Sequence, residues 1–197
     1  MFGIAALLAG CKTEEEVKES AQSFNYVVDH FADVEIMRYQ VDNWDSLSLN
    51  QKKLVYYLSE AALCGRDIIF DQNCAYNILI KNALEAIVDT YSGDKSTQDW
   101  EKFMEYVKRF WFSNGIHHHY SYAKFYPEIS KEYFLSLMNG SDKNKIFAGD
   151  QLQQKIVMDL IANVIFDTTK VSLKVSQDPN ADLVQSSAVN FYRNVTQ

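Results

Sequence analysis

The side chains with the most obvious chemistry are His117, His118 and His119, three consecutive imidazoles within Trp111-Phe-Ser-Asn-Gly-Ile-His-His-His-Tyr-Ser-Tyr-Ala-Lys-Phe-Tyr-Pro127. No ordinary amphipathic helix or strand needs that mixture. Aromatic, His, Asn and Lys side chains clustered in a loop usually line a site. Imidazoles bind metals, so zinc is the first chemistry to weigh. On a helix, three in a row point about 100° apart and cannot converge on one ion. On an extended segment His117 and His119 share a face and would supply two ligands, but zinc needs a third and usually a fourth. His30 is the only other histidine, and the carboxylates are plentiful but unspaced. The other reading is a polar loop whose imidazoles hydrogen-bond locally. The consecutive spacing favours it, and no metal ligand is assigned in this chain.

Other catalytic signatures are missing from the sequence. It has no H-E-x-x-H, no G-x-S-x-G and no Gly-rich phosphate loop, so no catalytic residue is assigned either. Cys64 beside a histidine would make a nucleophile pair, but it falls on an apolar helical face, which reads as a packed thiol. Cys64 and Cys74 are ten apart without CxxC spacing, which excludes a zinc knuckle. They read as two buried free thiols, although an envelope location would permit a disulfide. Arg66-Asp67 and Asp71 read as ion pairs that fix a turn rather than as ligands.

The elements that must position the loop follow from periodicity. Ser48-Leu-Asn-Gln51 fits a capping box, in which Ser and Gln satisfy each other's free backbone donors. Behind it Leu54, Tyr57, Leu58, Ala61 and Ala62 recur at helical spacing up to Gly65. Arg66–Asn73 leads into a second helix through Ile78, Leu79, Ala83, Leu84, Ile87, Val88 and Tyr91, stopped by Ser92-Gly93-Asp94. A third runs from about Thr97 through Trp100, Phe103, Met104, Val107 and Phe110. Its stripe Phe103, Val107, Phe110 is core, and the histidine loop leaves its C-terminal end. Ser130 caps a helix through Tyr133, Phe134, Leu137 and Met138, closed by Asn139-Gly140. Gly149–Phe166 gives another. Phe24–Val41 alternates short apolar and acidic segments and reads as extended or weakly helical.

Composition agrees with a helical chain. In 197 residues there are only 2 Pro and 7 Gly, which favours long helices over a turn-rich sandwich. Hydrophobic residues make up 47%, enough for a core. The formal net charge is -7, and no basic patch is visible, which argues against nucleic acid as partner. The first nine residues are apolar and too short to span a bilayer. Leu8-Ala9-Gly10-Cys11 resembles a bacterial lipobox, with Cys11 as the lipidation site, although no Lys or Arg precedes it. Residues 12–23 read as a solvated tether. This places the protein in the bacterial envelope as a lipoprotein, or in the cytoplasm if the lipobox is spurious.

Around the histidines the frame is more specific. Ser113-Asn114-Gly115, Tyr120 and Lys124-Phe125-Tyr126-Pro127 resemble the N-terminal lobe of the dipeptidyl peptidase III family, with bacterial members most similar. Leu54–Leu58, Gly65–Asn73, Trp111–Tyr120, Asp182–Ala188 and Val195–Gln197 also fit, so the resemblance covers 24–197. It implies a two-lobed zinc exopeptidase that releases dipeptides from the N-terminus of short peptides. The family's zinc motif, H-E-x-x-G-H, and the groups that hold the substrate's amino terminus come later in such chains. The resemblance therefore implies a segment that binds no zinc and supplies one wall of the substrate cleft. It implies substrate-binding residues at Tyr120, which faces that cleft, and at Asn114, Lys124 and Phe125 in the same segment. Ser121 departs from the family, which usually has Gly there, and this bears on how Tyr120 is aimed.

The expectation is a mainly α fold of six or so helices with little or no sheet: residues 1–23 a signal or tether, 24–197 a helical lobe segment that continues beyond Gln197. The partners implied are short peptides and the remaining lobe of the same polypeptide. The rival is a stand-alone envelope lipoprotein that binds peptides or a protein partner without catalysis. An open reading frame downstream of Gln197 that reaches H-E-x-x-G-H would support the enzyme, and a stop codon the rival.

Overall fold

The structure, a computed structural model, describes residues 24–192 and 194–197. Cys11 and the tether lie outside the described residues. The fold is mainly helical, as composition and periodicity predict. After a hairpin of β1 (Val27–Phe31) and β2 (Val34–Met37) come α1 (Leu49–Cys64), α2 (Arg66–Asn73), α3 (Asn77–Thr90), α4 (Gln98–Ser113), α5 (Lys131–Asn139), α6 (Lys143–Ile146), α7 (Gln151–Phe166) and α8 (Leu183–Ser186). None of the described helices is long and apolar enough to cross a membrane.

Helices begin where a polar side chain satisfies free backbone donors. Ser48 and Gln51 form the expected reciprocal box: Ser48 N donates to Gln51 Oε1 at 2.8 Å, and Gln51 N donates to Ser48 Oγ at 3.4 Å. Thr97 and Ser130 accept from Trp100 N and Tyr133 N at 3.1 and 3.0 Å. Asp150 and Gln153 form a second box ahead of α7. The core is built by the apolar stripes of four helices. Ile80, Leu84 and Ile87 of α3 meet Phe103, Val107 and Phe110 of α4, Phe134 and Leu137 of α5, and Ile161 and Ile165 of α7, all buried. Phe70 of α2 stacks on Phe110 with ring centroids 5.4 Å apart.

Four features refine or correct the expectation. First, of the two alternatives for Phe24–Val41 the extended one holds: residues 27–37 form an antiparallel hairpin, the little sheet of the fold. Ala32 turns the chain at φ 49° without a glycine, so the usual hairpin signal is missing. The hairpin is docked on α4 by Lys108–Asp29 at 2.8 Å, Arg109–Asp33 at 3.0 Å and the edge-on contact of Phe31 with Phe112. Second, α1 buries none of its residues. Leu54, Tyr57 and Leu58, placed on one face by their spacing, are 59%, 67% and 61% exposed. Third, Arg66–Asn73 is itself a helix, and Asp67 pairs with Lys81 at 3.0 Å. Asp71 accepts from the Asn190 amide. Among the described residues the local Arg–Asp knot is not formed: Asp67 reaches Lys81 and Asp71 reaches Asn190 instead. Fourth, both cysteines are free, but only Cys74 is buried; Cys64 is exposed because it ends α1.

Candidate functional site

The loop after α4 is set by a left-handed helix end. Asn114 takes φ 53° and ψ 47°, a conformation that Asn tolerates better than most residues. Its carbonyl accepts from Asn73 Nδ2 at 3.0 Å. Gly115 follows at φ 138°. A Cβ there would run into the side-chain amide of Asn77. That amide is fully buried and committed on both ends: Nδ2 donates to the Phe70 carbonyl at 3.0 Å, and Oδ1 accepts from Ile116 N at 3.3 Å. Gly115→Ala is therefore expected to destabilise the fold by at least about 2 kcal/mol. Chemical denaturation would test this, and a loss of less than about 1 kcal/mol would contradict the close approach.

Beyond Gly115 the chain doubles back as a short ladder. His118 N donates to Ala123 O at 2.8 Å, Phe125 N to Ile116 O at 3.1 Å, and Lys124 N to Ser172 O at 3.0 Å. The positive φ needed for the return falls on Tyr122, at 61°, and not on Ser121. Ser121 therefore does not need the conformational freedom of a glycine.

This ladder sends neighbouring side chains to opposite sides. His117 is 2% exposed, and its Nε2–H donates to the Val171 carbonyl at 2.7 Å. Burial pushes its pKa down to about 4, against the raising effect of the Val171 bond. The ring is therefore neutral near pH 7. His118 is oriented by the backbone: its Nδ1 accepts from Tyr120 N and Ser121 N, each at 3.2 Å. The neutral ring then carries its proton on Nε2. His119 packs edge-on against Phe112 at 4.9 Å and tilts over Tyr120 at 4.3 Å. His117 and His119 thus serve different neighbours. Among the described residues no group of three or more His, Cys, Asp or Glu is placed to hold a metal ion.

Of the residues singled out, Tyr120 is the most open, at 81% exposure. With His118 and His119 it forms one wall of a shallow groove of about 340 Å³, closed by Phe112 and by Asp33 and Glu35 of the hairpin. Lys124 lies on the other side of the ladder and is 6% exposed. Its Nζ donates to the carbonyls of Val164 and Asp167, both at 2.6 Å, and of Lys170 at 3.1 Å. All three ammonium donors are used in holding the end of α7. Phe125 packs edge-on against Tyr106 at 5.5 Å. The four residues therefore divide: Tyr120 faces the groove, Asn114 shapes the entry to the loop, and Lys124 and Phe125 anchor it. Asp33, Val34, Glu35 and Phe112 are the wall residues that motif reading did not single out. Only Phe112 carried a signal, as part of the Trp111–Pro127 run.

No family profile matches the chain, and no curated protein matches it.

Proposed function

We propose that this chain is the N-terminal part of one lobe of a zinc-dependent dipeptidyl peptidase of the dipeptidyl peptidase III kind, which releases dipeptides from the N-terminus of short peptides. The observation that carries the reading is Tyr120: a large aromatic held almost fully in solvent by a loop whose other side chains, His117 and Lys124, are buried and hydrogen-bonded. An exposed ring on a rigid base is a contact surface, and the groove beside it is open, as a cleft wall requires. The uncovered apolar surface of α1 supports a further lobe packing there.

The residues described here do not fit a zinc site. His117 is committed to Val171, and no ligand trio converges. In this reading the metal belongs to later residues of the full-length enzyme, and no step of the reaction runs through this segment. Its own contribution is binding. The groove's aromatic rings pack against apolar peptide side chains, and the carboxylate of Glu35 attracts positive charge on the peptide, Asp33 being held by Arg109. Membrane attachment through Cys11 would place the enzyme in the cell envelope.

In the full-length enzyme, Tyr120→Ala is expected to raise KM for a dipeptidyl-naphthylamide about tenfold, with kcat nearly unchanged, because the ring supplies contact area and no proton transfer. An unchanged KM would refute a cleft role. The isolated 197-residue chain is expected to turn over none of the same substrate, and measurable hydrolysis by it would sink the partial-site reading.

A further inference from the structure

A second, smaller cleft of about 220 Å³ lies between α4 and Phe125–Glu128. Lys102, Glu105, Tyr106 and Arg109 lie at i, i+3, i+4 and i+7, so one face of α4 supplies one wall. Phe125, Tyr126 and Glu128 supply the other. Two of the four charges are already engaged: Arg109 pairs with Asp33 at 3.0 Å and Glu105 at 3.4 Å. Lys102 and Glu128 make no ion pair among the described residues. Tyr106 is 2% exposed, and its buried hydroxyl has no hydrogen-bond partner. The Tyr106 ring, edge-on against Phe125, lines the cleft, while its hydroxyl is enclosed behind that wall.

We propose that this cleft binds a small zwitterion, a free α-amino acid with an aromatic or large apolar side chain. Its carboxylate pairs with Lys102, and its ammonium pairs with Glu128. The body of the ligand packs on Phe125 and Tyr126. One cation and one anion left free on opposite walls select a molecule that carries both charges, since a simple anion or cation leaves one of them unmatched. The volume sets the size: it is below the roughly 300–1,000 Å³ of drug-sized sites, so one residue fits and a peptide chain does not. The site is separate from the Tyr120 groove and does not depend on the peptidase reading.

The test is titration of the 197-residue chain with L-phenylalanine, N-acetyl-L-phenylalanine and L-phenylalaninamide, followed by amide chemical shifts and calorimetry. L-phenylalanine is expected to shift amides within 102–109 and 125–128. Each blocked analogue, lacking one charge, is expected to bind about tenfold more weakly. Lys102→Ala should abolish the preference for the free acid over the amide, and Glu128→Gln the preference for the free amine over the acetyl form. Both variants are at the surface and leave the fold intact. Shifts absent from these segments at millimolar L-phenylalanine, or blocked analogues that bind as well as the free amino acid, would overturn the proposal.

Discussion

Lys124→Met is expected to destabilise the protein by about 3–5 kcal/mol, although Met preserves most of the stem. The ammonium collects three carbonyls, those of Val164, Asp167 and Lys170, at 2.6, 2.6 and 3.1 Å. Val164 lies in the last turn of α7, where helix carbonyls have no intrahelical partner and the helix dipole favours a positive charge. Removing the amine leaves several carbonyls without a donor in a region closed to water. Burial pushes the Lys124 pKa below the usual lysine value, with Asp167 opposing. The hydrogen bonds to its three donors therefore have to offset that desolvation. Lys124→Arg is expected to rescue little, since a planar fork does not match three acceptors converging on one point. Urea denaturation measures both variants. A loss below about 1 kcal/mol for Lys124→Met would show that the carbonyls find other donors.

The second large effect is a loss of stability in mild acid that depends on His117. Burial lowers its folded pKa to about 4, from about 6.5 in an unfolded chain. Lys124 and Lys174 push the same way, and the Val171 hydrogen bond opposes them. Above pH 6.5 the ring is neutral in both states and adds no slope. Between pH 6.5 and about 4 the unfolded chain binds a proton that the folded ring does not, so stability falls as pH falls. At 1.36 kcal/mol per unit the loss across that window is about 3 kcal/mol. Below it both states are protonated and the slope ends. His119 is shifted down as well, by burial and by His118, so it adds to the same window. The lowered carboxylates of Asp29 and Asp167 act at lower pH, because their ordinary value is 3.8. His117→Gln should flatten most of the slope between pH 6.5 and 4. An undiminished slope in that variant would rule out His117 as its source.

What was legible in the sequence had a local cause. The box at Ser48 and Gln51, the Ser130 cap and the run from Thr97 to Phe110 each involve residues within a few positions of one another. The core stripe of Phe103, Val107 and Phe110 followed from helical period alone. What was not legible depends on distant partners. The hairpin at 27–37 turns at Ala32 without glycine and is held by Lys108 and Arg109, about eighty residues away. Lys124 reads from the sequence as a substrate-binding residue of the cleft segment, and only the return of the chain near Val164–Lys170 makes it a helix-end ligand. The spacing of Leu54, Tyr57 and Leu58 implied a buried face because periodicity says which residues share a side. It does not say what covers that side. Short helices such as Lys143–Ile146, one turn behind an Asp cap, carry too little pattern to see.

The bare α1 helix has a consequence for the order in which the molecule opens. Packing against a core usually supplies most of a helix's stability, and α1 has no buried residue. Its helicity rests on the Ser48–Gln51 box and on intrinsic propensity. Amide hydrogens of Leu54–Ala62 are therefore expected to exchange with deuterium orders of magnitude faster than those of Leu84 or Val107. They form a separate opening unit that melts without disturbing the core. Whatever seats itself on α1 would announce its arrival as a slowing of exchange confined to that helix.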